Sequence, residues 1–536
     1  MKDKTEKIRD HSLTAVMLMQ TAALFIIAHI LAAMCGDTAA GMAGFSLCFY
    51  FLIYSIYMFC GRNRVKRIVR MYRKNEFYIN ADEWSISVLV KSAVPLVIIA
   101  ALLFVFGRDM AYSISGSVKG RLPIYILAVN LVLVGVESVL EGFIHGMGKK
   151  RIVAAADMLR FILSLVLSTV LSLIGASRGR ELDALLYTGE CEGAYAAMYA
   201  FIGILAADAA AFIVLLIGRF YTLNRLKPLN ETGKPRYLGD KVLFYRPQVL
   251  EMTASAFPSV LILLLSAVYS MEYSSKDTGA VKGIGLLFGH YLPFVFVFGI
   301  LCAFPFISKS YDIGYGEEKI DKNADFKFYH ILRLQAALCF PVSALIMALS
   351  HLIEGGLFLI PDPSAQLMLL VGGLASTLIS FSVSIAIIFV ITKRQLPLFI
   401  CAILGMIPGI AAAFIFASVL KLGTLGTVIG FMISLIIFVI IGIVMLKTLF
   451  SMKKYRLFTT IIKPVYASTI TGLITYFASM RLRYIIGEIP TTFACIVAGS
   501  LIYLILMSLS RGFEKNELMA IPGGRLFESI STRGIK

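Results

Sequence analysis

Charge is scarce in this chain. Asp, Glu, Lys and Arg together make up 15% of its 536 residues, against about 25% in an ordinary soluble protein. Tryptophan occurs once and histidine six times. The eight cysteines are scattered, with no Cys-x-x-Cys pair, so spacing indicates neither a disulfide framework nor a zinc site. No phosphate-binding glycine loop and no nucleophile motif is present. Gly-rich stretches such as GMAG (41–44) and VGGL (371–374) are the small-residue contacts of packed helices. The chain reads as a non-enzyme, with no cofactor and no metal expected.

Apolar sequence takes the place of what is missing. Hydrophobic residues make up 59% of the chain, and its mean hydropathy is +0.85. Apolar runs of about eighteen residues or more recur along the whole length, the signature of membrane-spanning helices. The short alternating segments of a membrane barrel are absent. The expected fold class is an all-α polytopic membrane protein. Fourteen spans are predicted, at about 13–35, 40–60, 86–106, 123–145, 152–174, 195–218, 248–270, 283–306, 332–352, 367–391, 397–419, 423–446, 461–480 and 490–510.

Basic residues orient these spans. With the N-terminus in the cytoplasm, the inside segments hold 37 of the 50 Lys and Arg residues and the outside loops hold ten. Both termini are then cytoplasmic, and the first span is an uncleaved helix rather than a signal peptide. The net charge of +18 follows from this topology, facing anionic lipid headgroups. The run RNRVKRIVRMYRK (62–74), which in isolation resembles a nucleic-acid patch, is read as an interfacial basic helix between two spans. No nucleic-acid partner is expected.

Loop lengths repeat. A long inside loop follows span two (61–85) and a tight one, GMGKKR, follows span four. In the second half a long loop (307–331) follows span eight and a tight one, TKRQL, follows span ten. The segment 219–247, with Pro228, Pro235 and Pro247, reads as a linker. The expected organisation is an N-terminal lobe (1–218, six spans), a cytoplasmic linker (219–247), a C-terminal lobe (248–450, six spans) and a tail of two spans (451–536). Two six-helix lobes in parallel repeat are a transporter architecture.

Ionisable residues inside spans are expensive and normally face protein or water. Those predicted here are Lys91, Glu137, Glu141, Asp157, Arg160, Asp208, Glu251, His290 and Arg333. Within GVESVLEGFIHGMGKKR (135–151), Glu137, Glu141 and His145 recur every fourth residue and share one helix face. Counted outward from the hairpin turn, Glu137 and Arg160 reach similar depth, so they can pair, with Asp157 one turn away. Two readings stand: a staple for the hairpin, or a polar cluster that lines a cavity and exchanges protons. Asp208, flanked by alanines, is either a proton carrier or a hydrogen-bond partner of a neighbouring helix. His290 is either a cavity residue or local packing. Lys91, Glu251 and Arg333 lie near span ends, where snorkelling accounts for them.

The stretch FPFISKSYDIGYGEEKI (304–320), followed by ALCFP (337–341), and the hairpin EGFIHGMGKKRIVAAADMLR (141–160) resemble polysaccharide-biosynthesis and stage V sporulation protein B-type transporters. These belong to the multidrug/oligosaccharidyl-lipid/polysaccharide (MOP) exporter superfamily. The resemblance implies a flippase of the bacterial cytoplasmic membrane, working by alternating access on an undecaprenyl-diphosphate-linked oligosaccharide or cell-wall precursor. It also implies coupling to a proton or sodium gradient or to the membrane potential, and partnership with cell-envelope glycan synthases. Lipid II flippases of this superfamily carry arginines in the first two spans. Here span one offers Gln20 and His29, and span two carries no charge. Five intramembrane acids against three cations favour the alternative to this flippase reading, the superfamily's MATE-type antiporters, which exchange cationic drugs. Expected cavity residues are Glu137, Glu141, Arg160, Asp208 and His290, with Asp208, Glu137 and Asp157 as ion-coupling candidates.

Overall fold

Lipid offers no hydrogen-bond partner to a backbone, so a chain this apolar must satisfy its amides within helices. The computed structural model describes residues 2–115, 117–187, 189–226, 246–273, 279–311, 324–358, 361–392, 394–449, 457–510 and 512. Among these no strand occurs. The helices are α1 (Lys2–Cys35), α2 (Asp37–Tyr54), α3 (Arg62–Lys74), α4 (Tyr78–Ser115), α5 (Arg121–Gly146), α6 (Lys150–Leu186), α7 (Cys191–Leu226), α8 (Arg246–Tyr273) and α9 (Gly279–Gly285). There follow α10 (Leu292–Tyr311), α11 (Ala324–Ala348), α12 (Ser350–Leu357), α13 (Pro363–Gly372), α14 (Ala375–Ile391), α15 (Gln395–Ala413), α16 (Thr424–Leu449), α17 (Leu457–Ile486) and α18 (Glu488–Leu509). Three π-helical segments are inserted, at Ser55–Gly61, Leu286–Tyr291 and Phe414–Val419.

Among the described residues, eleven helices are long and apolar enough to cross a bilayer. A twelfth is added if the pair Pro363–Gly372 and Ala375–Val390, bent by 48°, counts as one. The first expected span contains a shorter apolar helix, Met19–Cys35, and the thirteenth lies within α17. Most of the expected linker (227–245), half of the long second-half loop (312–323) and the C-terminal tail (513–536) lie outside the described residues.

One boundary needs correction. The basic stretch 62–74 is a helix, as expected, but no loop separates it from span two. Through the π-helical segment Ser55–Gly61, α2 runs into α3 as one continuous helical rod, Asp37–Lys74. Hydropathy ends the span at residue 60, before Arg62, yet Arg62 is only 2% exposed.

Packing groups the chain into two compact units, Met1–Gly289 with Gln395–Phe431, and His290–Arg394 with Met432–Lys536. In the first, α5 is the central helix, touching α2, α3, α4, α6 and α7. Helix α3 lies against it because α5 presents glycines there. A Cβ added at Gly142 would sit 2.6 Å from Val65 Cβ and 2.8 Å from the Arg62 carbonyl oxygen, and one at Gly146 would sit 2.7 Å from Val69. Val65, Val69 and Tyr72 are thereby buried on the inner face of α3, joined by Trp84 of α4 and Phe143 of α5. In the second unit α11 and α14 share a seam of uncharged polar groups. Gln335 donates to the Ser380 carbonyl at 2.7 Å, and the Ser343 and Ser376 hydroxyls are 2.9 Å apart. Tyr503 of α18 donates to the Ala337 carbonyl at 2.7 Å.

Gly142→Ala forces α3 off α5, because backbone is among the atoms it meets. Overpacking of this kind costs about 1–3 kcal/mol. Thermal unfolding of the purified protein should show a lowered midpoint for Gly142→Ala. Gly472→Ala, whose added Cβ would meet its nearest atom at 3.4 Å, should change it little.

Candidate functional site

Four helices and the junction after α2 bring every predicted acid of the first unit to one arginine, Glu251 excepted, whose side chain lies outside the described residues. On α5 the four-residue spacing sets Glu137, Glu141 and His145 in one stripe, all buried. On α6, Asp157 and Arg160 are one turn apart and both buried. Asp208 comes from the middle of α7 and is 0% exposed.

The Arg160 guanidinium is the hub. Its Nη2 lies 2.9 Å from Glu137 Oε2 and 2.9 Å from Glu141 Oε1, and its Nη1 lies 2.9 Å from Asp157 Oδ1. Nε is 3.1 Å from Asp208 Oδ1, off the hydrogen-bonding direction. The Glu137–Arg160 pair expected from the hairpin is therefore present, within a larger set. Asp208 is not isolated: its other oxygen accepts a 2.8 Å hydrogen bond from the Tyr50 hydroxyl of α2. Tyr50 and Tyr54 stack at 5.8 Å, and the Arg160 guanidinium lies 6.0 Å from the Tyr54 ring centre.

A second arginine joins from the basic stretch 62–74, which hydropathy places at the membrane surface. Arg62 Nη1 is 3.1 Å from Glu141 Oε2 and 3.4 Å from Asp157 Oδ2. Taken as ionised, four carboxylates against two guanidiniums leave a formal charge of −2 in a place where charge is costly. Among the described residues Glu137 Oε1 has no hydrogen-bond partner. Asn130, two turns before Glu137 on α5, is 0% exposed and its amide lies beside Asp208.

Whole-chain comparison with solved structures now bears on what this arrangement belongs to. The chain is similar to "Lipid II flippase MurJ, inward closed conformation" at TM-score 0.62 and 17% identity, covering 93% of this chain and 98% of that one. It is also similar to the inward-facing conformation of a multidrug resistance MATE family transporter of the MOP superfamily, at TM-score 0.55 and 16% identity, covering 82% and 96%. The chain has the MOP exporter fold. No protein-family model matches it, and no curated protein matches its sequence.

Within this MOP-fold chain His290 has different company from the other predicted residues. It lies in the second unit, at the end of a π-helical segment, with Nδ1 2.9 Å from Glu354 Oε2 and its ring stacked 3.6 Å from that of Phe358. Glu354 was missed because it falls just past the expected end of span nine. Among the described residues no group of three or more His, Cys, Asp and Glu side chains is arranged to hold a metal ion. The other omissions were Arg62, Tyr50, Tyr54 and Asn130. Only the two tyrosines carry a sequence signal, their one-turn spacing on an apolar helix.

Breaking a buried charge network by removing one partner typically costs about 3–5 kcal/mol, because the rest is left uncompensated. Arg160→Gln removes the cation that all four carboxylates share and should lower the unfolding midpoint more than any other single change in the cluster. Adding Glu141→Gln should recover part of the loss. Tyr50→Phe removes one hydrogen bond to a charged group and should cost about 1.5–3 kcal/mol, read in the same unfolding assay.

Proposed function

We propose that this protein is a transporter of the bacterial cytoplasmic membrane that flips an undecaprenyl-diphosphate-linked oligosaccharide or cell-wall precursor by alternating access. The observation that carries the transporter reading is a sealed cluster of formal charge −2 within a MOP exporter fold. A static scaffold has no use for it, since well-packed apolar residues would serve stability as well or better. The flippase choice is supported by coverage: the match to the lipid II flippase structure extends over 93% of this chain, and that to the MATE transporter over 82%. In this reading the chain keeps its 6+6+2 plan of fourteen helices, with divisions at 218, 247 and 450 and both termini in the cytoplasm. Cell-envelope glycan synthases act beside it.

Glu137, Asp157 and Asp208 are the coupling groups, taking up a proton or sodium ion. Glu141 and Arg160 are cavity residues of the first unit, and His290 is a cavity residue of the second. In the present conformation Glu137, Glu141, Arg160 and Asp208 are each 0% exposed, so exchange with either side of the membrane requires movement. Cation–proton antiport of MATE type is the second reading, and the acid excess of the cluster favours it: a diphosphate cargo calls for cations, a cationic drug for carboxylates.

Proteoliposomes carrying an imposed proton or sodium gradient and fluorescent undecaprenyl-diphosphate-linked saccharides test the choice. Translocation above the empty-liposome rate is expected, reduced roughly tenfold in Glu137→Gln and in Asp208→Asn, a loss within the usual span of coupling between sites. Absence of transport across the panel by folded protein would transfer the assignment to the antiporter. Full activity of both variants would remove these carboxylates from the mechanism.

A further inference from the structure

The second unit holds a buried acid–base pair of its own, and the helices around that pair are interrupted. His290 and Tyr291 close the π-helical segment Leu286–Tyr291. Helix α11 stops at Ala348, and after Leu349 the chain restarts as α12, which carries Glu354. Between α13 and α14 the axis bends by 48°. The Gly372 carbonyl at that bend accepts a 3.1 Å hydrogen bond from the Tyr291 hydroxyl. Two consecutive residues of one helix thus reach the breaks of two others. Irregular helix of this kind inside a membrane protein concentrates where ions or substrates bind.

Glu354 and His290 are both buried, with Nδ1 2.9 Å from Oε2. A contact of that length has a hydrogen between nitrogen and oxygen. Three arrangements supply it. An imidazolium facing a carboxylate is neutral overall, as is a neutral imidazole facing a carboxylic acid. A neutral imidazole facing a carboxylate has one proton fewer and leaves a net negative charge in an apolar place, where it is costly. Among the described residues Glu354 Oε1 has no hydrogen-bond partner, which makes that third arrangement costlier still. Phe358 decides between the two neutral ones. Its ring lies 10° from parallel to the imidazole, with the ring centres 3.6 Å apart. An aromatic face attracts a cation set against it, so the imidazolium is the favoured form.

We infer that Glu354, His290 and Phe358 form a proton-binding site of the second unit, in which carboxylate and aromatic face together hold the imidazole protonated. The reading above gives ion coupling to acids of the first unit, and this site adds a proton carrier in the other. Uptake forms one N–H bond on the imidazole with a proton delivered by water, and breaks no bond in the protein. Both side chains are sealed, so uptake and release require α12 to part from the segment that carries His290.

Other charged and titratable groups nearby are few among the described residues. On α12, His351 is 3.2 Å from the Ser479 hydroxyl of α17, with Arg483 of α17 in its neighbourhood. The Glu488 carboxylate, at the start of α18, lies against Gly355. Asp362 caps α13 by accepting from the Ser364 amide. Helix α14 has no charged residue, and on α11 His330 and Arg333 lie toward the opposite end. Lys282 precedes His290 along the same helical run.

The chain has six histidines, few enough for nitrogen magnetic resonance of the full protein labelled at histidine, purified without cargo and without a gradient. The His290 signals are those missing from His290→Gln. An ordinary imidazole loses its proton near pH 6.5, whereas His290 is expected to keep the imidazolium signature to about one pH unit higher or more, a tenfold tighter hold. Glu354→Gln should return the midpoint to the ordinary range or below it, and Phe358→Leu should lower it by less. Glu354→Asp keeps the acid on a shorter stem and should fall between the native chain and Glu354→Gln, which covers the case of a Glu354→Gln chain that does not fold. A His290 that is neutral wherever an ordinary imidazole is neutral, or one that titrates identically in Glu354→Gln and Glu354→Asp, would overturn the inference. Because neither cargo nor gradient is used, failure of the flippase assay leaves this result standing. A neutral His290 in a chain that transports cargo defeats this inference alone.

Discussion

The structure turns on the cost of holding charge where there is no water. An arginine in the interior of an apolar bundle is tolerable only if acids surround it, and acids in that number are tolerable only if something positive remains near. Arg160 with Glu137, Glu141, Asp157 and Asp208 meets the first condition. The second is met in part by Arg62, which leaves a formal remainder of −2. Helices α2, α5, α6 and α7 are positioned around this constraint, since each contributes a group that none of the others can replace.

Close backbone contact is what makes such a cluster possible. Helices α6 and α7 pack so tightly that a Cβ added at Gly203 would fall 2.5 Å from the Ser168 amide nitrogen. Helix α3 approaches α5 as closely at Gly142. Short interhelical distances let carboxylates with short side chains, Asp157 and Asp208, reach a guanidinium on another turn or another helix. The second unit has a different character. Its α11–α14 seam is built of Gln335, Ser343, Ser376 and Ser380, all uncharged, and Glu354, buried, pairs with His290. Among the described residues, the buried cluster of acids and arginines belongs to the first unit.

Composition and run length were enough to establish an all-helical membrane chain, because in lipid the backbone has few alternatives. The four-residue spacing of Glu137, Glu141 and His145 made the stripe on α5 readable, and counting from the hairpin turn made the Glu137–Arg160 pair readable. Both depend only on helix geometry within one hairpin. Asp208 could be recognised as an intramembrane acid, but not assigned its partners. Its hydrogen bond to Tyr50 and its approach to Arg160 join helices whose order along the chain says nothing about which faces meet.

Arg62 shows where local reading ends. Hydropathy places it outside the span. The continuation of α2 into α3 and the close approach of α3 to Gly142 of α5 set it beside Glu141 and Asp157. What the sequence alone determined was the class of the molecule and which residues are too costly to be in lipid without a purpose. Which of those residues meet, and that an arginine from the apparent surface completes the set, was decided by tertiary packing, because a buried charge is satisfied by neighbours in space and not by neighbours along the chain.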